Sequence, residues 1–223
     1  LVAWFAGADR SVWPRLVRLV AGTGIGLGEL HNSGVEVGDE VGIADELDEV
    51  HERVERVTAA FPDHGPALRS ITGLLDGLVA ASRPGAARPA HRSFRPAQVL
   101  VDGDDLAFID FDGFCQAEPA MDVALFRSMV RSISLNKGLE EQGGTLDLDP
   151  DRRAARLLDA ELLCQAFLDG YRSVAEIDPL RVALWEVVYT AGLVVASWTK
   201  LKLSRLPNAL HLLDEQLARS ASA

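Results

Sequence analysis

The stretch HRSFRPAQVLVDGDDLAFIDFDG, residues 91–113, breaks the rhythm of a chain that otherwise reads as helix. Two short apolar runs, QVLV and LAFID, are joined by the turn-forming DGDD. Together they predict a β-hairpin. A hairpin brings its two ends together. Ser93 and Gln98 on the near side and Asp110 on the far side are therefore expected to converge on one spot.

Around the hairpin the pattern is helical. Upstream, residues 14–33 open on Pro14, suited to a first helical turn. Four glycines, at 22, 24, 26 and 28, interrupt this segment. Their spacing is G-x-G-x-G-x-G, which is not the dinucleotide fingerprint G-x-G-x-x-G, and no strand precedes them. A glycine-loosened helix packed closely on a neighbour is expected instead. Residues 44–61 carry Leu47, Val50, Val54 and Val57 on one face of an amphipathic helix, stopped by Pro62. A further helix is expected over 66–82, followed by a loop, RPGAARPA, at 83–90. Downstream, FDGFCQAE reads as loop, Pro119 opens a helix over 119–134, and 135–150 is a polar connection. Three more helices are expected at 151–173, 179–203 and 207–219. The layout is mainly α, with one small β insert between two helical groups.

Composition bounds the function. The chain has 223 residues and 48% hydrophobic content, enough for a sizeable core. Its net charge of −11 argues against nucleic-acid or anionic-membrane binding, which need a cationic face. It allows a cationic substrate without requiring one. The two cysteines, Cys115 and Cys164, form no C-x-x-C pair, so free thiols in a reducing cytoplasm are expected. The most apolar stretch, VVYTAGLVVASWT at 187–199, is shorter than the ~20 residues of a membrane span and reads as a buried helix. His31, His51, His64 and His211 are scattered and fit surface or cap roles better than metal ligation. Trp185 and Trp198 fit core packing. Glu140, Glu141, Asp147, Asp149, Asp159 and Asp169 are candidates to attract an amine, although a solvated acidic face is the simpler account.

The residues flanking the hairpin carry a resemblance. His91-Arg92-Ser93, then Gln98, then Ile109-Asp110-Phe111-Asp112, then Glu118-Pro119-Ala120-Met121-Asp122 is similar in order and spacing to the aminoglycoside phosphotransferase and choline kinase-like family, distantly related to protein kinases. LGELHNSG and FLDGYR fit the same family more loosely. The resemblance implies the C-terminal lobe of a protein-kinase-like fold, mainly α (α+β), with the hairpin carrying the catalytic and metal loops. It implies residues 1–12 as the end of an inter-lobe hinge and 13–223 as the lobe, with 91–124 its catalytic and metal-loop core and 135–223 a helical acceptor-side subdomain. An N-terminal nucleotide lobe is expected in the full-length protein. No segment before residue 91 supplies its lysine, since Lys137, Lys200 and Lys202 all follow the site.

On this resemblance the activity is transfer of the γ-phosphate of ATP or GTP, with Mg²⁺, to a hydroxyl of a small molecule. Such chemistry is mostly positioning and charge neutralisation. Ser93 falls at the catalytic base position, with His91 and Arg95 as its catalytic-loop companions. Gln98 and Asp110 fall at the metal and nucleotide positions. Asp112 and Asp122 are expected as structural support, and Arg92 and Arg95 as cations beside residue 93. The departure is at Ser93, where the family has Asp: a hydroxyl is no base at neutral pH. Gln98 in place of Asn keeps an amide oxygen, one methylene further out. A catalytically weakened pseudokinase or binding module, or a helical interaction domain, are the alternatives.

Overall fold

A computed structural model describes residues 1–2, 11–36, 38–137, 150–200 and 202–220. Seven helices occur among them: α1 (Trp13–His31), α2 (Ile43–Ala60), α3 (Gly65–Ala80), α4 (Pro119–Asn136), α5 (Pro150–Arg172), α6 (Pro179–Thr199) and α7 (Leu206–Ser220). The expected helices are present, with ends shifted by a residue or two except for α6. That helix stops at Thr199, and a separate 3₁₀ turn occupies Leu203–Arg205. Most of the polar connection 135–150 lies outside the described residues.

The hairpin pairs β3 (Val99–Asp102) with β4 (Asp105–Phe108) in antiparallel register, Val99 opposite Phe108 and Asp102 opposite Asp105. Gly103 takes a positive φ at the tip. A second sheet lies where only loops are expected. It joins β1 (Glu40–Val41), β5 (Cys115–Ala117) and β2 (Arg88–Ala90) in that order, β1 parallel and β2 antiparallel to β5. RPGAARPA and FDGFCQAE therefore each end in a strand. These strands are two or three residues long, too short to show alternation, and their pairing is long-range.

The glycine run in α1 has a packing explanation on two sides. A Cβ at Gly24 would collide with the carbonyl oxygen of Phe167 on α5, and one at Gly28 would strike Val174 just beyond it. A Cβ at Gly22 or Gly26 would meet Leu106 or Phe108 of the hairpin. Each pair is four residues apart and so shares a face. One face seats α5 and the other seats β4.

Helices α4, α5 and α6 make the centre, with α2 and α7 against α6 and α3 against α2. Phe94 is fully buried and stacks toward Phe126 of α4, which lies nearly parallel to Phe167 of α5 at 4.2 Å between centroids. Phe94 also meets Phe108 edge-on. The loop before the hairpin is thus pinned to the core by the residue after Ser93. Helix α6 is long and apolar enough to cross a membrane by length and composition, but most of it is buried within the protein, Trp185, Val188, Ala191 and Val195 included. The two thiols are both free and buried.

Candidate functional site

Local sequence sets up the convergence. Phe94 and Pro96 point inward and Arg95 outward, so the short 3₁₀ turn Pro96–Gln98 delivers a buried Gln98 to the base of β3. From the other strand, Ile109 returns its amide to the Gln98 carbonyl, which closes the open end of the hairpin. Asp110 follows with φ 72°, and Arg92 has φ 67°. These are the non-glycine residues with positive φ among the described residues, and they flank one point. Left-handed backbone at a side-chain-bearing residue costs ~1–3 kcal/mol and gathers at functional sites.

At that point Gln98 Nε2 donates to Asp110 Oδ2 at 2.9 Å, and Arg95 Nε donates to Gln98 Oε1 at 2.9 Å. Ser93 Oγ lies 3.3 Å from His91 Nδ1 and 3.5 Å from the Asp110 carbonyl oxygen. Ser93, Gln98 and Asp110 do meet. Asp110 is exposed, while Gln98 is buried beneath it.

Behind them runs a buried chain of contacts. Asp122, fully buried at the first turn of α4, accepts the backbone N–H of His91 at 2.6 Å through Oδ2. The same oxygen lies 3.3 Å from His31 Nε2, and His31 Nδ1 is 2.8 Å from the Tyr171 hydroxyl. His91 Nε2 sits 2.9 Å from the carbonyl oxygen of Ile109, so its N–H bridges the two sides of the hairpin mouth. Burial, and then the nearby Asp122 carboxylate, push the Tyr171 phenol above its ordinary range, which keeps it a neutral partner.

Three expectations change in detail. His31 is a buried partner of Asp122, not a surface or cap residue. The signal was the LGELHNSG segment, whose histidine falls at the end of α1 facing α5. Arg92 turns away from residue 93 to Glu46 and Glu49 of α2, leaving Arg95 as the cation beside the site. Asp112 is exposed on the 3₁₀ turn Phe111–Gly113 and has no side-chain partner among the described residues. One positioning pair went unread: Glu118, just before α4, makes a buried bidentate ion pair with Arg181 of α6, whose Nη1 also donates to Ser82 Oγ. Among the other histidines, His51 pairs with Asp76, His64 packs at a tilt against Trp198, and His211 faces Glu215.

For a divalent cation the site offers two hard oxygen donors, the Asp110 carboxylate and the Gln98 amide. No group of three or more His, Cys, Asp or Glu residues gathers among the described residues. Two protein oxygens suit Mg²⁺, which keeps waters and takes phosphate oxygens as further ligands. The Gln98 amide now presents nitrogen to Asp110, so holding a cation there requires the amide to turn and release Arg95.

A cleft of about 410 Å³ opens beside Ser93. Its walls come from α2, α4, α6 and from Lys200, Lys202, Arg205 and Ala209. Glu46 lines it, and burial followed by repulsion from Glu49 raises that carboxyl's pKa despite Arg92.

The fold has solved counterparts. An amicoumacin kinase in complex with AMP-PNP and Ca²⁺ superposes with a TM-score of 0.64 at 12% identity, over 93% of this chain and 61% of that one. A glucosamine kinase gives 0.61 at 17% identity, over 99% and 56%. A choline/ethanolamine kinase family protein from Mesorhizobium loti gives 0.57 at 12%, over 96% and 70%. The chain thus spans 61% and 56% of the lengths of the first two. No curated protein sequence matches it. The mainly α architecture is that of the C-terminal lobe of a protein-kinase-like fold. The model of the APH phosphotransferase enzyme family matches residues 4–158, which include the hairpin, Asp122 and helices α1 to α4; the chain belongs to that family.

Proposed function

We propose that this chain is the metal- and acceptor-binding lobe of a small-molecule phosphotransferase. One observation carries the reading: Ser93, Gln98 and Asp110 meet at the mouth of a hairpin, between two left-handed residues and beside an open cleft. The donor is a nucleoside triphosphate, ATP or GTP. Structural neighbours support this choice, one holding AMP-PNP and Ca²⁺ and another glucosamine, ADP and inorganic phosphate. Asp110 and Gln98 would hold Mg²⁺, which neutralises phosphate charge when bound. The acceptor lies in the cleft with a hydroxyl toward Ser93. Its oxygen bonds to the γ-phosphorus as the bond from that phosphorus to the bridging oxygen breaks. The nucleoside diphosphate leaves, and the hydroxyl proton passes to solvent, because Ser93 has no basic site to take it. Ser93 can still accept or donate a hydrogen bond that orients the acceptor. A nucleotide lobe in the full-length protein completes the cleft, and two buried unpaired thiols suit a cytoplasmic setting.

Residue 93 itself favours a second reading, a nucleotide-binding pseudokinase that turns over slowly or not at all. Both readings predict that Asp110→Ala in the full-length protein abolishes Mg²⁺-dependent nucleotide binding, measured by calorimetric titration. An unchanged titration would remove the kinase reading of the site.

A further inference from the structure

The charge of the cleft runs against the charge of the protein. Acidic residues outnumber Lys and Arg in the whole chain by 33 to 22. Among the described residues the cleft is lined by Arg53, Arg92, Arg95, Lys200, Lys202 and Arg205, against a single carboxylate, Glu46. The chain has three lysines, and two of them are here.

Internal pairing removes part of this charge but not all of it. Arg53 and Arg92 are tied to Glu46 and Glu49. Arg95 is hydrogen-bonded to the neutral amide of Gln98. Lys200 and Lys202 have no ion pair with a carboxylate among the described residues and are exposed at the cleft's edge.

Deeper in, the lining is built for a polar guest. Ser128 of α4 is 1% exposed, lines the cleft, and its Oγ has no hydrogen-bond partner among the described residues. The Tyr189 hydroxyl on α6 is likewise buried at the cleft without a partner. A buried hydroxyl left unpaired costs free energy, but both oxygens are sealed behind the cleft wall and reach a guest only where that wall yields. Ser132, Asn136 and Ser197 add further hydroxyl and amide groups.

Resting on the phosphotransferase reading, we infer that the acceptor is a small polyhydroxylated molecule carrying an anionic group, a carboxylate or a phosphate. The hydroxyls meet Ser93, Ser132 and Asn136, which line the cleft and are only partly buried, and the anion meets Lys200 and Lys202. A polycationic acceptor would bring its ammonium groups against those lysines, with Glu46 the one carboxylate among the described lining residues to offset them.

The test uses six-carbon polyhydroxylated molecules, three open-chain and one a ring, that differ in charge. D-sorbitol, D-gluconate, sorbitol 6-phosphate and D-glucosamine are titrated into the protein by calorimetry at low and at physiological salt. The anionic members are expected to bind about 10-fold or more tightly than sorbitol, with glucosamine weakest. The advantage should shrink with salt and vanish in a Lys200→Glu, Lys202→Glu double variant whose thermal unfolding matches the parent. Comparing gluconate with sorbitol 6-phosphate separates carboxylate from phosphate. The inference is overturned if neither anion binds better than sorbitol, if glucosamine binds best, or if the double variant keeps the preference. Its fate is separate from that of the kinase reading: anion preference without nucleotide binding removes only the latter. Turnover of cationic acceptors alone removes only the former.

Discussion

At position 93 the side chain is small enough that its surroundings remain readable. The hydroxyl looks toward His91 Nδ1 and the Asp110 carbonyl oxygen, and Arg95 is the nearby guanidinium with no carboxylate partner among the described residues. An aspartate there would extend into the cleft mouth, near a cation and opposite the incoming hydroxyl. General-base assistance is worth ~10²–10⁴-fold, and phosphoryl transfer draws on the lower part of that range. Ser93→Asp in the full-length protein is therefore expected to raise turnover about 10²-fold, read as nucleoside triphosphate consumption over an acceptor panel. Equal activity in both forms would show that residue 93 does not face the acceptor. Silence in both forms, with nucleotide still bound, would favour the pseudokinase. Residues 93, 98 and 110 were legible because a hairpin converts fixed spacing into proximity. The role of His31 was not, because its carboxylate partner is 91 residues away and only tertiary packing joins them.

Elements differ in how openly the sequence announces them. Helices α2 and α3 show their apolar stripes, whereas β1, β2 and β5 are too short for any period and exist by pairing across the chain. The polar centre of the bundle was equally hidden. Arg131 of α4 reaches Glu186 of α6 at 2.8 Å and Glu161 of α5 at 2.9 Å, and Arg127 reaches Glu186 at 3.2 Å. Burial opposes the charge on Arg131, but its neighbours Cys164, Glu186 and Glu161 together outweigh it and the guanidinium keeps its proton. Helix α1 shows a local rule broken for a tertiary reason. Glycine inside a helix costs ~0.5–1 kcal/mol relative to alanine, and α1 accepts this so that α5 and the hairpin can approach its backbone. Gly24→Ala is expected to destabilise by ~1–3 kcal/mol or more, since the new methyl meets the Phe167 carbonyl oxygen and neither backbone can yield cheaply. Gly73→Ala, in α3 with open space around it, is expected to stabilise by ~0.4–1 kcal/mol. Urea denaturation of the two variants measures both signs. A neutral Gly24→Ala would mean that α1 does not lie against α5 at this distance.

On the scale of the whole molecule, distant segments decide what no window of sequence displays. The cleft takes its walls from helices far apart in the chain, which is why an overall charge of −11 coexists with a cationic lining. The same long-range construction sets how the molecule opens. Cys115 lies in the small sheet behind the site and Cys164 among the central helices, and both belong to one continuous apolar core. Burial pushes the Cys115 thiol up to about 11 and raises Cys164 as well, so neither presents a reactive thiolate at neutral pH. With both thiols in one core, neither is expected to react with a thiol reagent at pH 8 in the native state, and both should become reactive in a single denaturant transition. Labelling of Cys115 well before Cys164 would show that the site-bearing sheet opens as a separate unit. The raised pKa also has a sign. The native protein keeps a proton that the unfolded chain loses above its ordinary value of 9.0, so stability is full below that pH and falls as pH rises toward about 11. Each such thiol steepens the loss by at most ~1.4 kcal/mol per pH unit. Melting temperatures from pH 8 to 11 should therefore fall more steeply for the parent than for Cys115→Ala, which retains only the Cys164 share. Parallel curves would mean that the Cys115 thiolate is as well solvated in the folded protein as in the unfolded one.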